Sequence, residues 1–187
     1  MNAWKRLDER LSAGRGRTLW QFVKFNLESL TVTVVQLALA NLLPLVFDGV
    51  KAPVPPPLRG IFSAEALFPK GSKYVVDGAV TWGYVLPFLF SNGLANVYGY
   101  FINRKTTFRS KGTRTGFAVY LAVLFALILF ATWMQGAIVA AMAESRIAPL
   151  SRTLASFGAG VVQTAVLFPL EKLVLFRPKP DGGKETK

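Results

Sequence analysis

Four stretches of the chain contain no Asp, Glu, Lys or Arg. They cover residues 29–47, 78–103, 115–143 and 153–170, so each is 18 to 29 residues long. A helix needs about 20 apolar residues to cross the hydrocarbon core of a bilayer, and soluble proteins seldom contain four such stretches. The pattern predicts an all-α integral membrane protein with four transmembrane helices, at about residues 19–47, 79–103, 115–143 and 152–176.

The first stretch has an alternative interpretation, because Ala38 and Ala40 form an A-x-A pattern of the kind that ends a secretory signal. The region that precedes the stretch is long for a signal, and three further stretches follow it. Both observations favour a membrane span over a cleaved leader.

The segments outside the helices have different characters. Trp4, Leu7 and Leu11 fall at helical spacing among charged residues, so residues 1–18 are predicted to be a cytoplasmic amphipathic segment in the headgroup layer; a plain solvated N-terminus is the alternative. Residues 48–78 form a long outside loop, and its proline-rich stretch at 52–60 is not expected to be regular helix. The polar tail at 178–187 is predicted to be disordered.

The positive charge is distributed unevenly along the chain. There are 22 Lys and Arg against 10 Asp and Glu, which gives a formal net charge of +12. Sixteen basic residues lie before residue 25, in the 104–114 loop or after residue 171, and only six lie in the two other loops. Because Lys and Arg concentrate in cytoplasmic loops, both termini are predicted to be cytoplasmic. The charge therefore indicates orientation, and no nucleic-acid partner is expected.

The composition also excludes several chemistries. The chain has no His and no Cys, which rules out Cys/His zinc sites, cysteine nucleophiles and Ser-His-Asp triads. No paired carboxylates, metal-ligand spacing or glycine-rich phosphate loop occurs in it. We therefore expect no enzymatic activity, no metal and no cofactor.

Charged side chains near the membrane are the first candidates for function, because burying a charge there is costly. Glu28 lies within the first predicted helix, and Lys24 precedes it by one helical turn on the same face, where it could pair with Glu28. The second and fourth helices end in charged residues at the same cytoplasmic level. The predicted cluster comprises Lys24, Glu28, Asn103, Arg104, Lys105, Glu171 and Lys172.

This cluster contains more cations than carboxylates and lies at headgroup depth, which favours a lipid phosphate or pyrophosphate as its ligand. Lys24, Asn103, Arg104, Lys105 and Lys172 are the predicted phosphate-binding residues. Ordinary positive-inside anchoring, with a snorkelling ion pair at Glu28, is the structural alternative.

Polar side chains within the predicted helices form a second group. Asn92, Asn96 and Asn103 recur on one stripe of the second helix, and Gln163 is of the same type in the fourth. Such amides either tie helices together or line a polar path.

The chain contains an internal similarity. The second helix ends in YFINRKTTFR at residues 100–109, and the fourth ends in FPLEKLVLFR at residues 168–177. The first and third helices also begin with similarly spaced aromatic residues. These matches are consistent with two helical hairpins related as a parallel repeat, as in some transporters, although polar and aromatic residues are common at any cytoplasmic helix end.

Three motifs resemble the GtrA-like family of small four-span membrane proteins. They are LWQFVKF at residues 19–25, LANVYGYFINRKTTFR at 94–109 and LEKLVLFRP at 170–178, and the resemblance covers residues 19–177. The asparagine–basic–x–x–x–Phe ending of the second motif is the family's most recognisable element. The chain departs from the family in its long proline-rich loop and in the charged Glu28.

The resemblance implies a function in cell-surface polysaccharide synthesis at the cell inner (cytoplasmic) membrane. Proteins of the family are thought to translocate polyprenyl-phosphate-linked sugars, or to assist the glycosyltransferases that make and use them. The residues to which the resemblance assigns a role are Asn103, Arg104, Lys105 and Phe108.

Two other functions remain open from the sequence. One is a proton-coupled exporter like the small multidrug resistance proteins, in which Glu28 would be the membrane carboxylate. The other is a membrane anchor that holds a glycosyltransferase at the bilayer. Because four helices enclose little space for a sugar, a homo-oligomer, most simply a dimer, is expected.

Overall fold

The structure is a computed structural model that describes residues 7–8, 10–12, 16–68, 72–142, 144–147 and 150–176. The predicted disordered tail at 178–187 lies outside these residues, as does most of the predicted amphipathic segment. Residues 7–8 and 10–12 of that segment are helical.

Four long helices make up the fold. The first runs over Arg17–Leu42 and continues as one further turn over Pro44–Phe47. The second covers Trp82–Lys105 and the third Arg114–Ala141. The fourth covers Ser151–Pro169 and continues as a π-helix over Leu170–Leu175. All four are long and apolar enough to cross a membrane, which confirms the four helices that the charge-free stretches predict.

The helices pack as two antiparallel hairpins, the first helix mainly against the second and the third mainly against the fourth. Gly99 permits a close approach in the first hairpin, because a Cβ there would lie only 2.7 Å from a methyl carbon of Val32. Aromatic contacts of Phe168 with Phe22 and Phe25 join the first helix to the fourth. The two hairpins are those that the sequence predicts, while their relation as a repeat stays a prediction.

The outer surface of the bundle is apolar. Leu30, Val34 and Leu37 are each more than half exposed on the first helix, and Phe157 is 73% exposed on the fourth. Contiguous apolar surface of this kind is unusual on a soluble monomer, and it is what a helix presents to lipid. The four helices are thus consistent with a multi-pass membrane protein.

Residues 48–68 and 72–81 fold into a cap over one end of the bundle. Two-residue strands β1 (Val75–Val76) and β2 (Ala79–Val80) form an antiparallel hairpin. The Val54 N–H donates to the Val80 carbonyl at 2.8 Å. Val54, Phe62 and Val80 of the cap are almost completely buried in a small core that they share with Val85 of the second helix.

The cap contains two single-turn helices, Pro56–Arg59 and Ala64–Leu67. The first of them lies in the stretch that was expected to contain no regular helix. Two prolines occupy its first turn, where the missing backbone N–H groups have no helical partner to lose. Proline therefore initiates this turn, and the expectation was wrong at these four residues.

Candidate anion site at one end of the bundle

The end of the bundle opposite the cap collects most of the described charge; we call it the basic end. The start of the first helix contacts the end of the fourth, where the Lys172 ammonium donates to the Thr18 hydroxyl at 2.6 Å. It also contacts the turn after the second helix, because Lys24 donates to the Thr106 carbonyl at 3.2 Å. The described residues of this end include nine basic side chains: Arg10, Arg17, Lys24, Arg104, Lys105, Arg109, Lys111, Arg114 and Lys172.

Asp8 organises one side of the basic end. It accepts hydrogen bonds from the Trp20 indole at 2.7 Å and from the Lys24 ammonium at 3.0 Å, and it also pairs with Arg109. The side chains of Lys24 and Asp8 are only 8% and 14% exposed. Lys24 therefore forms an ion pair with a residue 16 positions earlier in the chain, while its charge also acts on Glu28.

The pKa of Asp8 is the outcome of opposing influences. Burial raises it, and the hydrogen bonds from Trp20 and Lys24 together with the charges of Lys24 and Arg109 lower it from 3.8 to about 2. Asp8 is therefore ionised at every physiological pH, and its charge compensates the buried ammonium of Lys24.

Three other predicted phosphate-binding cations form no ion pair within the described residues: Arg104, Lys105 and Lys172. The Arg104 guanidinium lies 5.2 Å from the Phe101 ring centroid, and the Lys172 ammonium lies 5.8 Å from that of Phe168. Lys105 is exposed. Their charges are available to an anion beside the apolar helix faces, whereas the charge of Lys24 is already compensated.

Glu28 lies on the first helix facing the turn after the second. Its Oε1 accepts a hydrogen bond from the Thr106 hydroxyl. Thr106 caps the second helix, so Glu28 lies level with a helix end and not with the middle of the bundle.

Glu171 and Asn103 lie deeper in the protein than Arg104, Lys105 and Lys172 do. Glu171 is 1% exposed and Asn103 is 5% exposed. The Asn103 side chain lies within hydrogen-bonding reach of the Glu171 carboxylate. The predicted residues lie at this end of the bundle in two layers: Arg104, Lys105 and Lys172 outside, and Lys24, Asn103 and Glu171 buried.

The three amides of the predicted stripe lie in different parts of the bundle: Asn92 and Asn96 lie towards the cap, and Asn103 lies at the basic end beside Glu171. Asn92 accepts a hydrogen bond at 2.8 Å from Gln36 of the first helix, so it ties the first hairpin together. Both residues line a cavity of about 120 Å³ near the cap. Asn96 donates to the Asn92 carbonyl at 2.9 Å. Gln163 is half-buried on the fourth helix, and no hydrogen bond joins it to either asparagine within the described residues.

Several residues of the basic end were not found from the sequence. Asp8 gave a signal only as one of many charges in an amphipathic segment, and nothing in its spacing pointed to Lys24. Tyr100, Thr106 and Thr107 belong to the motif at 94–109, but they carry no charge, so the sequence does not distinguish them from other residues at a helix end.

No protein-family model matches the chain, and no curated protein or solved structure matches it either. The resemblance to the GtrA-like family therefore stays a prediction that rests on the three short motifs.

Proposed function

We propose that the protein binds an anionic lipid headgroup at the basic end and translocates polyprenyl-phosphate-linked sugars across the cytoplasmic membrane, or assists a glycosyltransferase in using them. One observation carries the proposal. Arg104, Lys105 and Lys172 are free of ion pairs within the described residues and lie at helix ends whose neighbouring faces are apolar. A polyprenyl phosphate has the matching construction, a charged head on a long apolar chain.

Each cation has a role that follows from its chemistry. An Arg guanidinium contacts two phosphate oxygens at once, and a Lys ammonium contributes a mobile point charge. Arg104 is held against Phe101 and by the loop at Gly112, where a Cβ would lie 2.8 Å from Arg104 Cδ. A guanidinium held in this way loses less conformational entropy when it binds.

The predicted orientation of the helices in the membrane decides on which side the lipid headgroup binds. With the basic end in the cytoplasm, the lipid head binds on the side where nucleotide sugars are made, and the cap faces outwards. Asn92, Asn96 and Gln163 are then the candidate polar side chains along the path of the sugar. A dimer would supply walls that four helices lack.

The test is binding of a short-chain polyprenyl phosphate to the purified full-length chain in detergent. Removing one phosphate contact costs about 1.5–3 kcal/mol, so Arg104→Ala is expected to weaken binding by about 10- to 100-fold. Lys172→Ala is expected to weaken it less, because a lysine makes a single contact.

Lys51→Ala is the matched control, since it removes an exposed cation from the opposite end and is expected to leave binding unchanged. Equal binding by the wild type, Arg104→Ala and Lys172→Ala would overturn the site. Translocation is measured separately, as transfer of a labelled lipid-linked sugar across reconstituted vesicles.

A further inference from the structure

Five buried side-chain oxygens have no hydrogen-bond partner in the described part of the chain, and all five belong to one region. They are Glu28 Oε2, Tyr100 Oη, Asn103 Oδ1, Thr107 Oγ1 and Glu171 Oε2. An unpaired buried polar atom costs about 1–3 kcal/mol, and few occur in native proteins. Five that collect beneath the basic end therefore require an explanation.

These side chains are neighbours. Tyr100, Asn103 and Thr107 follow one another at spacings of three and four residues, so they share one face of the second helix and of the turn that follows it. Asn103 and Tyr100 both lie close to Glu171. Glu28 interacts electrostatically with Glu171 and lies beside Thr107. Tyr100, Asn103, Thr107 and Glu171 are at most 5% exposed.

The backbone around the cluster also carries negative potential. The second helix ends at Lys105, immediately beside Asn103, and helix C-termini favour cations. Glu171 belongs to the π-helix at the end of the fourth helix. Single π-helical turns occur frequently at functional sites, and helix C-terminal ends coordinate Na⁺ in several membrane transporters.

No described cation compensates Glu171. The ammonium of Lys24 pairs with Asp8, and the electrostatic influence of Lys24 falls on Glu28. Arg104 acts on Tyr100, and Lys172 donates to Thr18 at the surface. An isolated buried carboxylate is strongly unfavourable, so this carboxyl group is neutralised either by a proton or by a bound cation.

We propose that these five oxygens form a binding site for a dehydrated sodium ion, which neutralises the buried carboxylate of Glu171. Oxygen atoms are the ligands of hard cations, and the set contains no nitrogen or sulfur. Mg²⁺ keeps several of its waters, for which a site this deeply buried has little room. The set contains two carboxylates, and Lys24 already acts on that of Glu28. One monovalent charge is therefore enough to compensate Glu171.

Binding of sodium at this position does not depend on the proposed function. A role for the ion in driving translocation does rest on it: sodium would bind beneath the phosphate site, so that entry of the ion and capture of the lipid head favour each other.

Thermal unfolding of the purified full-length chain in detergent tests the site, with NaCl compared against choline chloride at equal ionic strength. A ligand that binds only the folded state raises the Tm. We expect sodium to raise it by about 2–4 °C, with a smaller rise in KCl. Glu171→Gln keeps the size of the side chain and removes its charge, and it is expected to abolish the rise.

Thr107→Val keeps the test decisive if Glu171→Gln does not fold. It removes one neutral ligand and is expected to weaken sodium binding by about tenfold, a loss of about 1.4 kcal/mol. Glu144→Gln is the control, because it removes an exposed carboxylate at the opposite end and is expected to keep the full sodium response.

Three results would overturn the site: an equal Tm in sodium and choline, a sodium response retained in both Glu171→Gln and Thr107→Val, or a larger rise with Mg²⁺ or Ca²⁺ than with sodium. The proposed function has a separate readout. Polyprenyl phosphate binding without a sodium response contradicts only the ion site, and a sodium response without phosphate binding contradicts only the proposed function.

Discussion

Each end of the bundle contains an ion pair between a lysine and an aspartate, and the two pairs differ in their distance and in their exposure to solvent. At the cap, Lys73 and Asp48 approach to 2.7 Å, and their side chains are 64% and 50% exposed. At the basic end, Lys24 and Asp8 approach to 3.0 Å and are 8% and 14% exposed. The shorter pair is the one that water screens.

The difference shows that burial, and not distance, decides which pair matters. Lys73 and Asp48 stay largely solvated when the chain folds, so their pairing changes the free energy of unfolding little. Lys24 has lost its water, so its charge depends on Asp8 and on the Thr106 carbonyl. The cap pair is therefore expected to add little to stability, whereas the pair at the basic end compensates a buried charge.

Phe62→Ala is the largest expected effect and tests whether packing holds the cap. Phe62 is 2% exposed and contacts the Phe88 ring edge-on, with 6.4 Å between centroids. Truncating a buried Phe costs about 3–5 kcal/mol, to be measured as the loss in free energy of unfolding. Leu45→Ala is the control, since Leu45 is 80% exposed. An equal loss in both variants would show that packing of Phe62 does not hold the cap on the bundle.

Asp8→Asn is expected to have the next largest effect, at the basic end. The native pKa of Asp8 is about 2, against an ordinary value of 3.8, and this difference corresponds to at most about 2 kcal/mol of stability near neutral pH, because solvent screens part of it. Denaturant unfolding of the variant measures it. A loss that is no larger than that of an exposed aspartate would contradict the importance of burial.

The lowered pKa of Asp8 determines how its contribution to stability changes with pH. The folded state holds Asp8 ionised more strongly than the unfolded state does, so the contribution is complete above about pH 4. It is lost as the pH falls towards 2, where the folded state also takes up the proton. The stability difference between the wild type and Asp8→Asn is therefore expected to shrink across this window.

Lys73→Ala is the smallest expected change and completes the comparison of the two pairs. The pKa of Lys73 is raised by its hydrogen bond to Asp48, yet the group is solvated. We expect no measurable change in Tm. A drop as large as that of Asp8→Asn would show that distance, and not burial, controls these pairs.

The four long helices follow from local information. A stretch without charges is a property of neighbouring residues, and the observed helix ends at Phe47 and Lys105 lie within two residues of those predicted. The first and third helices begin at Arg17 and Arg114, equally close to prediction. The π-helix was not predicted, because the hydrogen-bond pattern that follows Pro169 leaves no trace in hydropathy.

The cap shows where local information ends. Its proline-rich stretch marks a break in helix, which the sequence shows directly. Its core depends on contacts between Val54 and Val80, which are 26 positions apart. The apolar segments of this loop are at most three residues long, so they show no repeating pattern from which the contact between Val54 and Val80 could be predicted.

By itself, the sequence determined the number, length and type of the helices and the unequal distribution of positive charge, because each depends on residues close together in the chain. Only the tertiary structure decided that Lys24 pairs with Asp8. It also decided that four oxygens of the first helix, the second helix and the turn that follows it, which have no hydrogen-bond partner among the described residues, lie near the Glu171 carboxylate. The physical reason is that partners for buried polar groups are chosen by proximity in space. A buried charge such as that of Lys24 is compensated by the groups that the fold places beside it, here Asp8 and the Thr106 carbonyl.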